Sequence, residues 1–219
     1  MRKITLSICA VAIVMLSCNS KTEDSDATTD TLATHASTEV KKETLPAAMP
    51  DSATMMKMWD DFKTPGDMHK WMEKTNGTWE GDISTWMDPS APPEITKGTI
   101  VQTSILGGRY VVGKYSGTIL GQKTEGQSTM AYDNGKKLFV STWIDNQGTG
   151  IVFMSGVFDE KTKTLNLNGY QTDPMTGKDS NVREELTIID DDSYTMTMFG
   201  TGMDGKEMKF MEGNYKRKK

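Results

Sequence analysis

From Thr78 to the C-terminus the chain alternates apolar and polar residues, and a turn signal interrupts the alternation about every 13 residues. The signals fall near Asp88-Pro89, Gly107-Gly108, Gly121-Gln122, Asn134-Gly135, Asn146-Gln147-Gly148, Asp159-Glu160-Lys161, Asp173-Pro174, Asp190-Asp191-Asp192 and Asp204-Gly205. Asn-Gly and Asp-Gly favour tight hairpins, because both central residues need positive φ. Nine turns separate ten segments rich in Thr, Val, Ile, Tyr, Phe and Trp, the residue types that suit a pleated surface. No helical periodicity lies between them, which excludes parallel βαβ units. A meander of ten long strands leaves two open edges unless it curls and closes. The expected fold is therefore all-β, a ten-stranded antiparallel up-and-down barrel wide enough for a small ligand.

Ahead of the strands, Met55, Met58, Trp59 and Phe62 follow helical spacing. Thr64-Pro65-Gly66-Asp67 interrupts it, Met68, Trp71 and Met72 resume it, and Asn76-Gly77 supplies a stop. Two short amphipathic helices are predicted, packed on the barrel through Met and Trp. The alternative is contact of Met56, Met58 and Trp59 with a membrane surface. Residues 19–54 contain no Phe, Tyr or Trp. They cannot bury enough apolar area to offset chain entropy, and they read as a flexible linker with His35 solvated. The helices and barrel then form one domain over residues 55–219.

At the N-terminus, Arg2 and Lys3 precede Ile4–Leu16, 13 residues that are apolar apart from Thr5 and Ser7. This run falls short of the ~20 residues that cross a hydrocarbon core. It has the length of a signal-peptide core. The run ends in Met15-Leu16-Ser17-Cys18, which resembles the lipobox of bacterial lipoproteins. That resemblance implies residues 1–17 as signal peptide, Cys18 as a lipidated first residue bearing palmitate-type chains, and 18–54 as anchor and tether. Each buried CH₂ would contribute ~0.8 kcal/mol, so several chains anchor firmly. Cleavage removes Arg2 and Lys3 and moves the net charge from −5 to −7. Asn19 departs from the Asp of an inner-membrane retention signal, which implies the outer membrane. Ser20–Asp26 is acidic and resembles the surface-export signal of lipoproteins in the Bacteroides group. The partner so implied is a membrane, met from the periplasm or the surface.

Gly77-Thr78-Trp79 stands where the helical spacing gives way to the first strand. It resembles the Gly-x-Trp signature of lipocalin and calycin barrels. The resemblance implies that Trp79 closes one barrel end and that Arg217, on the last strand, lies across its ring, a contact of ~0.5–2 kcal/mol. The runs Ile105–Tyr110, Tyr132-Asp133-Asn134, Trp143–Asn146 and Arg183-Glu184 resemble an uncharacterised bacterial domain-of-unknown-function family over roughly residues 65–217. It implies the same calycin-like barrel and brings no established activity.

Chemistry is constrained by what the barrel segment lacks. Cys9 and Cys18 lie before it, and the two histidines are His35 and His69. Residues 77–219 therefore cannot supply a disulfide, a Cys-based zinc site, or a Ser–His–Asp or Cys–His system. Haem ligation by a barrel histidine, as in nitrobindin-like barrels, is excluded too. His69 reads as a helix cap or packing residue. A net charge of −5 argues against nucleic acid, which needs a basic face. Met196, Met198, Met208 and Met211 could ligate Cu(I), but thioethers also fill irregular cavities, and the lining role is the reading adopted. Asp190-Asp191-Asp192 lacks the ligand spacing of a calcium loop. No metal, cofactor or catalytic residue is expected.

Alternation then assigns faces. Trp79 inward carries Ile83 and Met87 with it, and Arg217 inward carries Tyr215 and Met211. Trp143 shares a face with Phe139 and Asp145, although both faces of that strand are apolar. Arg109 aligns with Val111 and Tyr115, and Arg183 with Glu185. The candidate ligand-binding residues are thus Arg109, Tyr115, Trp143, Asp145, Arg183 and Glu185. Inward charges need partners, so these residues would form either a structural ion network or a polar spot for a ligand headgroup. Binding of a small lipophilic or amphipathic molecule is the first functional expectation. A filled barrel with a structural role is the second, and carboxylate-only catalysis the third. The anchor is directly testable: Cys18→Ala should move the protein from the membrane to the soluble fraction, and unchanged fractionation would rule out lipidation at Cys18.

Overall fold

Each of the nine turn signals falls at a connection between strands, with Gln122, Asp159 and Asp190 the terminal residues of the strands they border. The computed structural model describes residues 49–202 and 204–219. The segment read as a signal peptide, Cys18, His35 and the segment read as a tether up to residue 48 lie outside the described residues. Two helices, α1 (Ser52–Lys63) and α2 (Asp67–Glu73), precede the strands. The strands are β1 (Gly77–Thr85), β2 (Glu94–Ile105), β3 (Tyr110–Ile119), β4 (Gln122–Asp133), β5 (Leu138–Asp145), β6 (Val152–Asp159), β7 (Thr164–Thr172), β8 (Asp179–Asp190), β9 (Ser193–Thr201) and β10 (Glu207–Arg217). Each pairs antiparallel with its neighbours in sequence, and β1 pairs with β10 to close the barrel. The closing register runs from Trp79 opposite Arg217 to Thr85 opposite Met211. Closure removes both sheet edges, so none of these strands is left with a row of unpaired N–H and C=O groups.

The core lies inside the barrel and follows the period of two. On β1, Trp79 and Ile83 are buried, while Met87 lies beyond the strand and is 73% exposed, against the expectation that it points inward. Parity holds only as long as the strand does. Phe139 and Ser141 are buried on β5 and Ile144 is exposed, so Trp143 and Asp145 belong to the inner face. Tyr115 and Tyr215 lie flat against backbone that carries no side chain. A Cβ at Gly98 would come within 2.5 Å of the Tyr115 ring, and one at Gly81 or Gly213 within 2.7 or 2.6 Å of the Tyr215 ring. Inward glycines thus make room for rings that would otherwise overfill the barrel.

α2 covers one end of the barrel. Met72 is fully buried, and Trp71 packs on Phe139 and Phe158 with centroids 5.3 and 4.8 Å apart. His69 is 4% exposed, accepts a 3.0 Å hydrogen bond from the Gly66 N–H through Nδ1, and meets Tyr132 edge-on. Burial holds its imidazole below the ordinary range. It is a capping and packing residue.

α1 departs from expectation. It begins at Ser52, capped by Asp51, and none of its residues is buried. Met56, Met58, Trp59 and Phe62 are 50–69% exposed. The barrel end holds one helix, and α2 occupies it. Polar contacts at its C-terminus hold α1 instead. The Asn134 side-chain amide donates to the carbonyls of Asp61, Phe62 and Thr64, and the Arg109 guanidinium donates to that of Lys63 at 2.8 Å. These donors satisfy carbonyls left without an intrahelical partner.

Arg217 ties the closed end together. Its guanidinium carbon sits 4.1 Å from the centroid of Trp79, which is 3% exposed. It also donates to the carbonyls of Lys74 and Asn76 after α2 and to Asp191 and Asp192 in the β8–β9 turn. Trp79 Nε1 donates in turn to the Thr75 carbonyl at 2.8 Å. Trp79→Ala should therefore cost about 3–5 kcal/mol. Arg217→Ala should cost less, about 1–2 kcal/mol, because the ring contact is lost while the carbonyls it held are exposed and can turn to water. Urea melts of both variants and the double mutant should show losses that do not add. Additive losses would mean that the two side chains act independently.

Candidate functional site

Beneath α2 the end of the barrel holds a partly open cavity of about 450 Å³, bordered by the exposed β8–β9 turn. Trp71, Trp79, Val111, Met130, Ile188 and Tyr194 give it apolar and aromatic walls. Lys74, Asp190, Asp191, Asp192 and Arg217 also line it. The size and the predominantly apolar wall are those of a small-molecule site.

One inward step along β8 from Leu186, which also lines the cavity, stands Glu184. It is 9% exposed and lies between Leu167 of β7 and Met198 of β9 in the strand register. No hydrogen bond or cation among the described residues offsets its burial, and burial alone pushes its carboxyl up to about 7. Tyr194 and Tyr215, stacked with centroids 4.8 Å apart, are near enough for its charge to act on both phenols. Burial drives both phenols upward, so they stay neutral. The Tyr115 hydroxyl is buried without a partner. A lone carboxyl among tyrosines can accept a proton, donate one, or seat a cation.

The structure brings together three of the six sequence candidates. Tyr115 and Trp143 meet edge-on at 6.0 Å, and Trp143 Nε1 donates to Asp145 Oδ2 at 2.6 Å. The other three are not in the interior, a correction to the inward reading. Arg109 belongs to the β2–β3 turn, where it holds α1 and the Leu106 carbonyl. Arg183 and Glu185 lie on the outer face, where Arg183 pairs with Glu185 and Glu207 and lies 3.8 Å from the Phe199 ring centroid. Charged groups on that face keep contact with water, and inside they would lose it. The residue that sequence reasoning passed over is Glu184. Its signal was present, since Val182, Leu186 and Ile188 share its parity and are apolar. Met196 and Met198 pack against the core as lining. Among the described residues no cluster of three or more His, Cys, Asp or Glu is placed to hold a metal.

Glu184 makes stability depend on pH. Between its ordinary value of 4.5 and about 7, the folded state keeps a proton that the unfolded state has lost. Stability should therefore fall as pH rises through that window, by roughly 3 kcal/mol, and level off above it. Glu184→Gln should remove the fall, so its advantage over the parent should grow between pH 4 and pH 8 in urea melts. Parallel profiles would mean that Glu184 titrates normally in the fold.

Solved structures share this architecture. Rv2717c from M. tuberculosis superposes with a TM-score of 0.55 at 12% identity, covering 71% of this chain and 100% of that one. The S-type phycobiliprotein lyase CPES from Guillardia theta gives a TM-score of 0.50 at 10% identity, covering 78% and 99%. At such identities the likeness speaks for the barrel alone. No curated protein matches the chain in sequence. The family described as "Protein of unknown function (DUF1579)" matches residues 64–217, from the end of α1 through the last strand, and the chain belongs to that family.

Proposed function

We propose that this chain is a lipid-anchored protein of the bacterial envelope, facing the periplasm or the cell surface from the outer membrane, whose barrel takes up a small lipophilic or amphipathic molecule. The observation that carries the binding half is the cavity of about 450 Å³ beneath α2, walled by Trp71, Trp79, Val111 and Met130. A barrel filled by its own side chains, the structural alternative, would have no such space. Partial filling is real, since Tyr115 and Tyr215 lie flat against inward glycines and Tyr194 stacks on Tyr215, so the ligand sits in the space left toward the α2 end. The phycobiliprotein lyase with a similar barrel supports an architecture suited to more than a structural role. The tether rests on the apolar run Ile4–Leu16 ending beside Cys18.

A second reading follows from Glu184. A carboxyl pushed up to about 7 can exchange protons near neutral pH, which suits general acid–base chemistry. The phenols beside it, Tyr194 and Tyr215, are held neutral by burial, and among the described residues no histidine or second carboxyl joins it to divide the roles of acid and base, so binding is favoured.

Native mass spectrometry of the protein released gently from its own membranes tests the reading. A small-molecule adduct beyond the acyl anchor is expected, and Val111→Trp, which fills the cavity, should abolish it. A polypeptide carrying only its anchor would leave the structural role standing.

A further inference from the structure

The interior of this barrel is acidic and aromatic. Among the described residues, the inward positions of β1 to β9 hold no Lys or Arg, while Glu184 and Asp145 both point inward. On β10, Arg217 is already engaged with Trp79 and backbone carbonyls, and Lys209 is turned to Glu212 and the Trp86 ring. Asp145 is also engaged, accepting from Trp143 Nε1 and the Gln147 N–H. Of the inward carboxyl groups among the described residues, Glu184 is the one that is buried without a hydrogen-bond or ion-pair partner, one inward step from the cavity wall at Leu186. An anion placed there would meet a carboxylate, and the cation that lines the cavity without an ion-pair partner among the described residues, Lys74, is exposed at the end of α2 and is not an inward strand position. A protonated amine would meet a carboxylate beside the Tyr194 and Tyr215 phenols, whose hydroxyl oxygens can accept from an ammonium.

We propose, building on the binding reading above, that the ligand of this barrel is a lipophilic amine, with its ammonium against Glu184 beside Tyr194 and Tyr215 and its apolar part in the cavity under α2. The charge pairing also relieves the desolvation of Glu184, which no protein group offsets. Tyr194 from β9 and Tyr215 from β10 are the ionisable groups that feel its charge; its strand neighbours Leu167 and Met198 carry none. Binding of a cation then holds Glu184 deprotonated, so a proton is released on binding near pH 6.

Decylamine, decanol and decanoate share one chain length and differ in headgroup charge, and their binding to the full mature protein can be measured calorimetrically at pH 8. Decylamine should bind at least about tenfold more tightly than the other two, the scale expected for a desolvated charge pair. Glu184→Gln should erase that preference and leave decanol binding unchanged, with near-UV circular dichroism showing an intact fold. At pH 6, decylamine enthalpies in two buffers of different ionisation enthalpy should differ, reporting the released proton. Equal or tighter binding of decanol or decanoate by the parent protein would overturn the amine assignment while leaving a ligand-binding barrel. That result needs no variant to fold. A preference that survives in folded Glu184→Gln would overturn the role of Glu184. Binding of none of the three would overturn both the amine and the binding reading.

Discussion

The fold depends on the antiparallel pairing of β1 with β10, and Arg217 stands where that pairing begins. Without it the meander would be an open sheet with two long edges. The guanidinium does more there than cover an indole. It gathers the carbonyls that follow α2 and one of the β8–β9 turn, two segments that share no other charged donor among the described residues. The lid helix, the first strand, the last strand and one hairpin therefore share a single side chain. Arginine suits this position because its planar fork offers five donors while its face stacks on the ring.

Filling such a barrel raises a volume problem. Ten strands enclose more space than aliphatic side chains fill easily, yet aromatic rings can clash with the opposite wall. Here rings are laid flat against inward glycines, so Tyr115 and Tyr215 occupy width without thickness. The middle of the barrel becomes dense, and the unfilled volume is left toward the α2 end. The cavity and the buried carboxyl thus arise from one distribution of side chains along the strands.

α1 shows the opposite economy. It is fixed by polar bonds to its last carbonyls, and its Met and Trp side chains face outward. A helix secured through its backbone terminus does not need its apolar face for folding. Helical spacing identified the helix correctly and misassigned what that face touches, because spacing reports which residues share a side and not what lies opposite them.

The sequence by itself determined the ten strands, the nine turns and the closing pair of Trp79 with Arg217. The strands and turns follow from local chemistry, namely turn residues that need unusual φ and alternation with a period of two, while the Trp79–Arg217 pair is what the resemblance of Gly77-Thr78-Trp79 to the calycin signature implies. Tertiary structure decided which charges went inside. Arg183, Glu184 and Glu185 are consecutive charged residues, and parity alone puts either Glu184 or its two neighbours in the core. Burial of Val182 and Leu186 settles it, since a one-residue change of face would bury two charges to free one. Arg109 escaped prediction for a related reason: it sits in a turn, where strand parity does not apply, and its partner is the end of a helix 46 residues earlier. Volume was also beyond the sequence, because an empty space beneath α2 is set by how ten inner faces and one lid fit together, and no single segment carries it.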